Sequence, residues 1–519
     1  MSAARAKYSG LGRLAPFDAF DADVLRSVTA ALDTAANPGA VVRLSQVAPP
    51  VCPLRAMVQG TTLRPSRSYG GVHWTWGNAL KLPDEPLPGV ARAGRMRLLL
   101  ACAAYPPSGK GGGPAASESI ARALSALGHS VHVVTVANEN TNELRDGVAI
   151  HTLPSLNVYW NYWKSNPAYK KLAWHALENG NPRAYLHMRR EIASVRPDVV
   201  MTISCENINV ATWLAARAHG VPTAHVVQSH FLLCWRGTMF RSGKNCTRQC
   251  LQCGCTSVGK RLMSQLVDGV VAESQHMLDR HAEAGYFVRA RQKVIPAAID
   301  WPIHGEPRPQ TERIRIGYIG MVTPNKGVET LARAAAHLGD AAPFDYVIAG
   351  DGPEDYAKKL SAIFPEGRAR FLGWSDPAVF YPAIDVLVVP SLWDEPFGRV
   401  CIEAFANGVP VVAARSGALP EIVEVGKSGL TFRAGDDRGL ADCLRTLAQD
   451  RALLARVQAG AIERCRHYSP ERLALAFAEF LGGISRRSAA SPKARGSDRC
   501  AKHGGPANSD GPFLPPPLY

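Results

Sequence analysis

The chain alternates short apolar runs with stretches of helical periodicity, in one series over residues 96–298 and in a second over residues 313–485. Strands that are separated by whole helices pair in parallel, and the helices cover both faces of the resulting sheet. The sequence therefore predicts an α/β protein with two Rossmann-like, doubly wound domains. Because ligands of such sheets bind outside the carboxyl ends of the strands, we expect the functional site in a cleft between the domains.

The individual elements follow from the same patterns. In the first domain we predict strands at 97–103, 130–135, 199–204, 223–228 and 269–272, and helices at 115–127, 185–195 and 210–219. In the second domain we predict strands at 314–319, 346–349, 369–372, 386–389 and 411–413, and helices at 327–337, 353–363, 400–407, 440–449, 451–465 and 470–481. Residues 299–312 contain three prolines and are predicted to link the domains.

The two ends of the chain differ from the middle. Residues 1–95 show weak apolar periodicity apart from a helical pattern at 21–36, and Met96 directly precedes the first strand. We expect them to be either a disordered extension or a mis-assigned start. Residues 486–519 are rich in Ser, Ala, Gly and Pro and are expected to form a disordered tail.

Charge and hydropathy exclude several classes of protein. The two ends carry +9 of the formal net charge of +15, and the remaining charge is too small to indicate a nucleic-acid-binding protein. No run of about 18 apolar residues is present, so we expect no spanning helix. The first 30 residues lack the pattern of a secretory signal. With most cysteines scattered along the chain, a reducing compartment is favoured, and we expect a cytoplasmic protein.

Glycine-rich turns follow early strands in both domains. Gly111, Gly112 and Gly113 lie between the first strand and a helix, where backbone N–H groups can bind a phosphate or diphosphate. Their order does not match a dinucleotide-binding loop, and a flexible turn without a ligand is the alternative. In the second domain, Gly320 ends the first strand, and Gly352 belongs to the turn after the second.

Charged residues of the second domain follow strand ends. Lys326 precedes a helix and can neutralise a nucleotide diphosphate. Glu395 lies in a loop after the fourth strand, and Glu403 lies inside the helix that starts near Phe397 and Gly398. A carboxylate there can accept hydrogen bonds from two vicinal hydroxyls such as those of ribose, while amides at the helix start can hold phosphate oxygens. The alternative is a pair of solvated helix carboxylates.

A histidine and a group of cysteines mark the end of the strand at 223–228. His230 can hydrogen-bond a ligand there, although such a loop histidine is often a plain surface residue. The spacing of Cys250 and Cys253, with Cys234 and Cys246 nearby, is typical of a structural zinc site with four thiolate ligands. Reduced buried thiols and a local disulfide are the alternatives.

The combined motifs resemble those of a known family. The chain carries, in this order, Gly111–Gly113, Lys326-Gly327, Gly350-Asp351-Gly352-Pro353, Glu395-x7-Glu403 and Gly408-Val409-Pro410-Val411-Val412. This series resembles glycosyltransferase family 4, retaining enzymes of the GT-B fold, over residues 96–480 and most strongly over 385–432. Residues 230–237 and the cysteines after them resemble a subgroup of that family. The resemblance implies an acceptor-side domain at 96–298 and a nucleotide-sugar-binding domain at 313–485, facing each other across a cleft.

The resemblance also implies roles for single residues on the donor side. Glu403 would bind the ribose of the donor nucleotide, and Glu395 would contact hydroxyls of the donor sugar. Phe397 and Gly398 would provide backbone contacts to the sugar and the diphosphate. Lys326 would stabilise the leaving diphosphate.

Further implied roles concern the glycine turns and the acceptor side. Gly111–Gly113 would face the diphosphate and the acceptor, and His230 would lie near the transferred sugar. Gly320 and Gly352 would line the donor site.

One position departs from the family pattern. Family members usually carry an Arg directly after the glycine of the first strand, whereas this chain has Met321. Either another cation such as Arg399 replaces it, or turnover is weaker. The resemblance implies front-face attack by the acceptor hydroxyl, assisted by the leaving phosphate and requiring no catalytic metal. Preorganised cations and amides would stabilise the charge on the leaving group.

These observations predict a retaining glycosyltransferase that moves a sugar from a UDP-, GDP- or ADP-linked donor to a glycan or lipid-linked acceptor. The expected role is the synthesis of a bacterial cell-surface polysaccharide or glycolipid. Peripheral association with the inner face of the membrane would give access to a lipid-linked acceptor. Two other interpretations stay open: another GT-B-like sugar-nucleotide enzyme such as an epimerase or phosphorylase, and a non-catalytic scaffold whose cysteines form a zinc interaction module.

Overall fold

The computed structural model describes residues 94–109, 111–159, 166–301 and 312–490, with side chains as far as Ser485, and the backbone of three short strands nearer the N-terminus. Those strands are β1 (Val42–Arg43), β2 (Thr62–Ser68) and β3 (Gly71–Trp76), and they form an antiparallel sheet in the order β1-β2-β3. They belong to a separate unit, residues 1–92. The other expectations for residues 1–93, and those for the tail beyond 490, lie outside the described residues.

The first domain contains an eight-stranded sheet. Its strands are β4 (Arg97–Cys102), β5 (Ser130–Val136), β6 (Thr141–Arg145), β7 (Val148–Leu153), β8 (Val199–Ile203), β9 (Thr223–Val227), β12 (Gly269–Ala272) and β13 (Arg291–Val294). The order is β13-β12-β9-β8-β4-β5-β7-β6, and every neighbouring pair is parallel except β6 with β7. A separate hairpin joins β10 (Phe240–Arg241) to β11 (Lys244–Asn245). The strand order reverses between β4 and β8, which opens a ligand crevice at their carboxyl ends.

Seven helices pack around this sheet within the described ranges. They are α1 (Gly112–Ala126), α2 (Ala168–Leu177), α3 (Pro182–Val195), α4 (Ala211–Ala218), α5 (Leu251–Thr256), α6 (Val258–Met263) and α7 (Gln275–Glu283). The start of α3 shows how local sequence begins a helix. The Asn181 side chain caps it by accepting hydrogen bonds from two amides of the first turn, and Pro182 occupies the first helical position. Its buried residues Ala184, Met188 and Ile192 recur every four positions and face the sheet.

The second domain contains a six-stranded, fully parallel sheet. Its strands are β14 (Ile314–Ile319), β15 (Phe344–Ala349), β16 (Ala369–Gly373), β17 (Val386–Val389), β18 (Val411–Arg415) and β19 (Gly429–Arg433), in the order β16-β15-β14-β17-β18-β19. Its helices are α8 (Val328–Leu338), α9 (Glu354–Ser361), α10 (Pro377–Phe380), α11 (Arg399–Ala406), α12 (Leu419–Ile422), α13 (Asp437–Gln449) and α14 (Arg451–Cys465). The order reverses between β14 and β17, as in a Rossmann fold. The predicted fold of two doubly wound α/β domains is thus confirmed.

The last helix joins the two domains. This helix, α15, covers Pro470–Ala490, so it continues beyond the predicted end at 481. Its residues Phe477, Phe480 and Ile484 are buried in the core of the first domain, beside strands β4 and β9. No described helix is long and apolar enough to cross a membrane.

The sequence patterns missed the apolar interior strand β7 (VAIHTL) and the edge strand β19, as well as two polar strands at the edges of the first sheet. Strand β6 has the sequence TNELR, and four of its five residues are exposed. Strand β13 has the sequence RQKV and lies at the edge of the sheet. Edge strands bury little apolar surface, so they carry no apolar run for a pattern to detect.

Candidate active site

A lysine and a glutamate meet at the carboxyl end of the second sheet. Lys326 lies on a short 3-10 helix after β14, and Glu395 lies in the loop after β17. The Lys326 Nζ is 2.7 Å from Glu395 Oε1, with the side chains only 20% and 11% exposed. Nζ also lies 4.4 Å from the ring centroid of Trp393, a favourable cation–π distance. Two of the three residues predicted to be catalytic, Lys326 and Glu395, are therefore brought together as an ion pair at the crevice between β14 and β17, and the third is His230.

Glu403 is held from two sides inside the second domain. Its Oε1 accepts a hydrogen bond from Arg399 Nε at 3.1 Å, and its Oε2 lies 3.0 Å from the Tyr381 hydroxyl. Burial raises the pKa of Glu403, while the Arg399 charge and the two hydrogen bonds oppose that rise. The alternative of two solvated helix carboxylates is wrong, because Glu403 is partnered and mostly buried and Glu395 lies outside the helix. Tyr381, far away in sequence, was not predicted.

The start of helix α11 requires a glycine. Gly398 has φ of 100°, and a Cβ there would lie 2.6 Å from Leu419 Cδ2. Phe397 is buried, and its ring packs against Tyr468 at 6.0 Å, so only its backbone can face the crevice. The backbone contacts of both residues to a sugar diphosphate stay a prediction. The amides of the first turn of α11 have no side-chain cap and can hold an anion.

The glycine turns after β14 and β15 pack backbone against backbone. Gly350 has φ of 132°, and a Cβ there would lie 1.7 Å from the Gly320 carbonyl oxygen. Gly352 is as tightly packed against the backbone of Val322. The turns therefore sit side by side at the edge of the crevice. Met321 projects from them and is 60% exposed.

The glycine loop of the first domain faces the second domain. A Cβ on Gly112 would lie 3.7 Å from Arg399 Cδ, and a Cβ on Gly113 would lie 3.9 Å from Gln228 Oε1. Helix α1 begins at this loop with no side-chain cap and no acidic residue in its first turn. Its free amides and its dipole favour an anion in the cleft.

His230 lies in the wall of the first domain. It is buried, and burial together with nearby His281, His276 and Arg280 lowers its pKa to about 3. Its Nδ1 has no hydrogen-bond partner. Its ring lies 6.2 Å from that of Trp393 across the cleft. A neutral imidazole therefore stands close to the Lys326–Glu395 pair, and it is not the plain surface residue of the alternative interpretation.

Glu273 is a cleft residue that the sequence patterns missed. It follows β12, and burial raises its pKa to about 7, while a hydrogen bond from Gln228 and the Arg399 charge lower it. The Gln228 Nε2 donates to Glu273 Oε1 at 3.0 Å. Neither residue belongs to a motif with diagnostic spacing, so only the meeting of β9 and β12 in the sheet reveals them.

The domains touch directly beside the site. The Glu421 carboxylate accepts from the amides of Gln275 and His276 at 2.8 Å each, so a residue of α12 caps helix α7 of the other domain. The Ser274 Oγ donates to the Pro396 carbonyl oxygen at 2.6 Å. These contacts place the loop between β17 and α11, residues 390–398, against the first domain, and we call this segment the donor loop.

The predicted zinc ligands are only partly grouped. Cys234 and Cys253 are buried with their Sγ atoms 3.8 Å apart, whereas Cys250 is exposed. A hydrogen bond from the Cys253 backbone lowers the pKa of the Cys250 thiol. Among the residues that the structure describes, no group of three or more His, Cys, Asp or Glu side chains is arranged to hold a metal ion. Zinc binding by these residues and Cys246 stays a prediction.

Comparison with known proteins identifies the family of both domains. Residues 111–298 match the family model described as glycosyl transferase 4-like domain, and residues 313–450 match glycosyl transferases group 1. An uncharacterized 42.6 kDa protein in the cps region of Klebsiella pneumoniae is 27% identical over 64% of this chain and 88% of its own length. The D-inositol 3-phosphate glycosyltransferase of Corynebacterium glutamicum is 34% identical, over 30% of this chain and 40% of its own length.

A solved structure shows the same fold. The chain is similar to Anabaena HepE in complex with UDP, with a TM-score of 0.55 and 19% identity over 75% of this chain and all of that one. The two family matches adjoin the proposed linker and together cover more than half of the sequence. Because the two matches span both domains, the chain belongs to the group 1 glycosyltransferases of the GT4 type and is an enzyme of that class.

Proposed function

We propose that this enzyme is a retaining glycosyltransferase that moves a sugar from a nucleoside-diphosphate sugar to an acceptor hydroxyl. The observation that carries the proposal is the Lys326–Glu395 ion pair beside the uncapped start of α11, with Glu403 buried behind it. A cation, free amides and two carboxylates are the groups that a sugar diphosphate and a ribose require.

Donor binding would use the second domain. The Glu403 carboxylate keeps unused lone pairs on both oxygens, since Arg399 and Tyr381 occupy one direction each. It can therefore accept from the two ribose hydroxyls without losing its partners. The diphosphate would lie between the first turn of α11 and the glycine turns at Gly320 and Gly352.

Opposite charges develop on the phosphate and on the sugar during the proposed step. When the bond between the anomeric carbon and the diphosphate breaks, negative charge grows on the phosphate and the sugar becomes oxocarbenium-like. Lys326 and the amides of α11 would stabilise the leaving phosphate, while Glu395 would orient the sugar hydroxyls. The acceptor hydroxyl would attack from the same face and pass its proton to the leaving phosphate, which retains the configuration.

The first domain would present the acceptor. Gly112 of the loop Gly111–Gly113 faces Arg399 across the cleft, and the neutral His230 stands beside Trp393. Arg399 is close enough to this loop to replace the cation that Met321 does not supply. Closure around the substrates would exclude water and limit hydrolysis of the donor.

We also propose a role in the synthesis of a cell-surface polysaccharide or glycolipid, in the cytoplasm and at the membrane surface. The name of the Klebsiella relative places that protein in a cps region, which supports this role. Helix α2 carries exposed Tyr169 and Leu172, at 70% and 60% exposure, next to Lys170. Apolar and basic side chains together favour docking on anionic lipid. Co-sedimentation with anionic vesicles that Leu172→Ser does not weaken would contradict this docking.

The central test is a donor panel. Purified protein is incubated with UDP-, GDP- and ADP-sugars, products are identified by mass spectrometry, and the anomeric configuration is read by NMR. We expect one nucleotide to raise Tm and its sugar conjugate to be turned over with retention. The Glu403→Gln variant should bind that nucleotide at least tenfold more weakly, since hydrogen bonds to a charged group contribute about 1.5–3 kcal/mol, whereas the exposed Glu463→Gln control should not. Inverted product, or no response to any nucleotide, would overturn the proposal.

A further inference from the structure

The cysteine-bearing segment, residues 234–255, has no part in the function proposed above. It leaves the first sheet after β9 and forms the small hairpin of β10 and β11. The hairpin is closed by a hydrogen bond from the Cys246 amide to the Met239 carbonyl at 2.7 Å. At its end, Asn245 projects towards the other domain.

The Asn245 side chain forms two hydrogen bonds with the backbone of the donor loop. Its Nδ2 donates to the Leu392 carbonyl oxygen at 2.8 Å, and its Oδ1 accepts from the Asp394 amide at 3.0 Å. The Leu392 carbonyl and the Asp394 amide are two residues apart in this loop. A carboxamide can donate a hydrogen bond to the carbonyl and accept one from the amide at the same time. Asn245→Asp would lose the Nδ2 donor, and Asn245→Ala would lose both hydrogen bonds.

A third interdomain hydrogen bond involves Trp393, the residue between Leu392 and Asp394. The Trp393 Nε1 donates to the Thr238 carbonyl oxygen at 2.6 Å, again from the second domain to the hairpin segment of the first. The first domain thus contacts three consecutive residues, Leu392, Trp393 and Asp394. We call the three contacts made by Asn245 and Thr238 the clasp.

The residues held by the clasp lie next to Lys326 and Glu395. Trp393 lies under Lys326 Nζ, and Asp394 is followed by Glu395. From its own domain the loop is held by Ser416, whose Oγ donates to the Trp393 carbonyl at 2.8 Å, and by the amide of Gly417, 3.1 Å from Asp394 Oδ1. The loop is therefore held from both domains, and the clasp, like the hydrogen bond from Ser274 to Pro396, spans the gap between them.

The base of the hairpin is secured within the first domain. Arg280 of α7 donates to the carbonyl oxygens of Cys246 and Thr247, and the Gln249 side chain donates to the Leu233 carbonyl at 2.7 Å. The Trp235 amide lies 3.3 Å from Cys253 Sγ. The segment is thus a supported arm rather than a loose loop.

We propose that Asn245 is a positioning residue for sugar transfer: through the clasp it sets Trp393 and Glu395 so that Lys326 faces the leaving phosphate when the domains meet. The proposal rests on the transferase function proposed above. The cysteine-bearing segment accordingly serves as an interdomain arm, and the donor loop is complete only when the first domain contributes to it.

The test compares Asn245→Ala and Asn245→Asp with the same changes at Asn142, an exposed residue of β6. Nucleoside diphosphate affinity is measured by calorimetry and kcat with a donor that the wild type turns over. Because Glu403 and α11 lie outside the clasp, we expect kcat to fall at least tenfold while nucleotide affinity changes less than threefold. Equal losses in both, or no loss of kcat, would overturn the proposal, as would the same loss in the Asn142 variants.

A structural readout separates this proposal from the function on which it rests. The protein is labelled with 5-fluorotryptophan, and the Trp393 resonance is assigned with Trp393→Phe. We expect that resonance to shift in Asn245→Ala and not in Asn142→Ala, and an unchanged resonance would refute the clasp. If the wild type transfers sugar from no donor, the proposed function fails, and the Trp393 resonance alone decides whether the clasp exists.

Discussion

Replacing Lys326 by Met tests the proposed chemistry most directly. The change removes the cation that lies 2.7 Å from Glu395 and keeps a side chain of similar length over Trp393. Two separate losses follow. One acts on the transition state, where the leaving phosphate loses its cation. The other acts on the fold, where Glu395 loses its partner.

The loss of transition-state stabilisation can be given a magnitude. Two unit charges about 4 Å apart interact by about 4 kcal/mol at an effective dielectric constant of about 20. The Lys326 side chain is 20% exposed, so water screens part of this energy. At about 1.4 kcal/mol for each factor of ten, we expect kcat to fall by about 100- to 1,000-fold.

The second loss affects stability. Removing one partner of a fully buried ion pair costs about 3–5 kcal/mol, and removing one partner of an exposed pair costs about 0–1 kcal/mol. With Glu395 at 11% exposure, the expected cost lies between these limits. The double variant Lys326→Met/Glu395→Gln leaves no unpaired charge, so it should recover stability without recovering kcat.

The assay is the release of nucleoside diphosphate under saturating donor, with Tm measured on the same samples. Lys427→Met, at a side chain that is 77% exposed, serves as the control and should change neither quantity. A Lys326→Met enzyme with kcat within tenfold of the wild type would refute the role of this cation. A double variant with wild-type kcat would show that Lys326 only balances the charge of Glu395.

Four further predictions address other parts of the molecule. Arg399→Met should raise the Kd of nucleoside diphosphate about tenfold by calorimetry, since it removes a cation and the partner of Glu403; an unchanged Kd would exclude Arg399 as the substitute for the missing arginine. Lys260 is buried with Nζ 3.2 Å from the Phe231 carbonyl oxygen and lies close to the buried Glu178 and Glu206. Lys260→Met should therefore cost about 3–5 kcal/mol in chemical denaturation by leaving Glu178 and Glu206 without a cation, and the exposed Lys359→Met should cost little. Burial lowers the pKa of His281 from 6.5 to about 4, so its contribution to stability is present above pH 6.5 and lost as pH falls through the folded value. Relative to the wild type, His281→Gln should gain about 1.4 kcal/mol per pH unit between pH 6.5 and about pH 4 and no more below that, and a pH-independent difference would contradict this. If Cys234, Cys246, Cys250 and Cys253 bind zinc, elemental analysis should find one zinc per chain that Cys250→Ser loses, and a metal-free protein of full stability would exclude it.

The donor side of the site could be predicted from the sequence because local structure creates it. Gly398, Glu395 and Glu403 belong to one loop–helix unit, and Lys326 lies at the turn after the largely apolar strand β14. Each of these residues sits near a carboxyl end of a parallel strand, so the fold class alone brings them to one edge of the sheet.

The residues that complete the site could not be predicted in this way. Tyr381 and Glu273 lie in segments without a motif, and Asn245 is not one of the cysteines whose spacing marks its segment. Each of the three contacts a partner more than twenty positions away. Their side chains are common in polar loops, where most of them only face solvent. No spacing distinguishes the few that meet a partner.

The sequence by itself determined that this chain forms two doubly wound domains and carries the motifs of a group 1 glycosyltransferase, because apolar periodicity and glycine turns are properties of neighbouring residues. The tertiary structure alone decided that Glu403 is shared by Arg399 and Tyr381, that a glycine loop faces Arg399, and that Asn245 holds the donor loop. The physical reason is that burial and a second hydrogen-bond partner depend on which distant segment packs against a residue, and that choice is made by the packing of whole strands and helices.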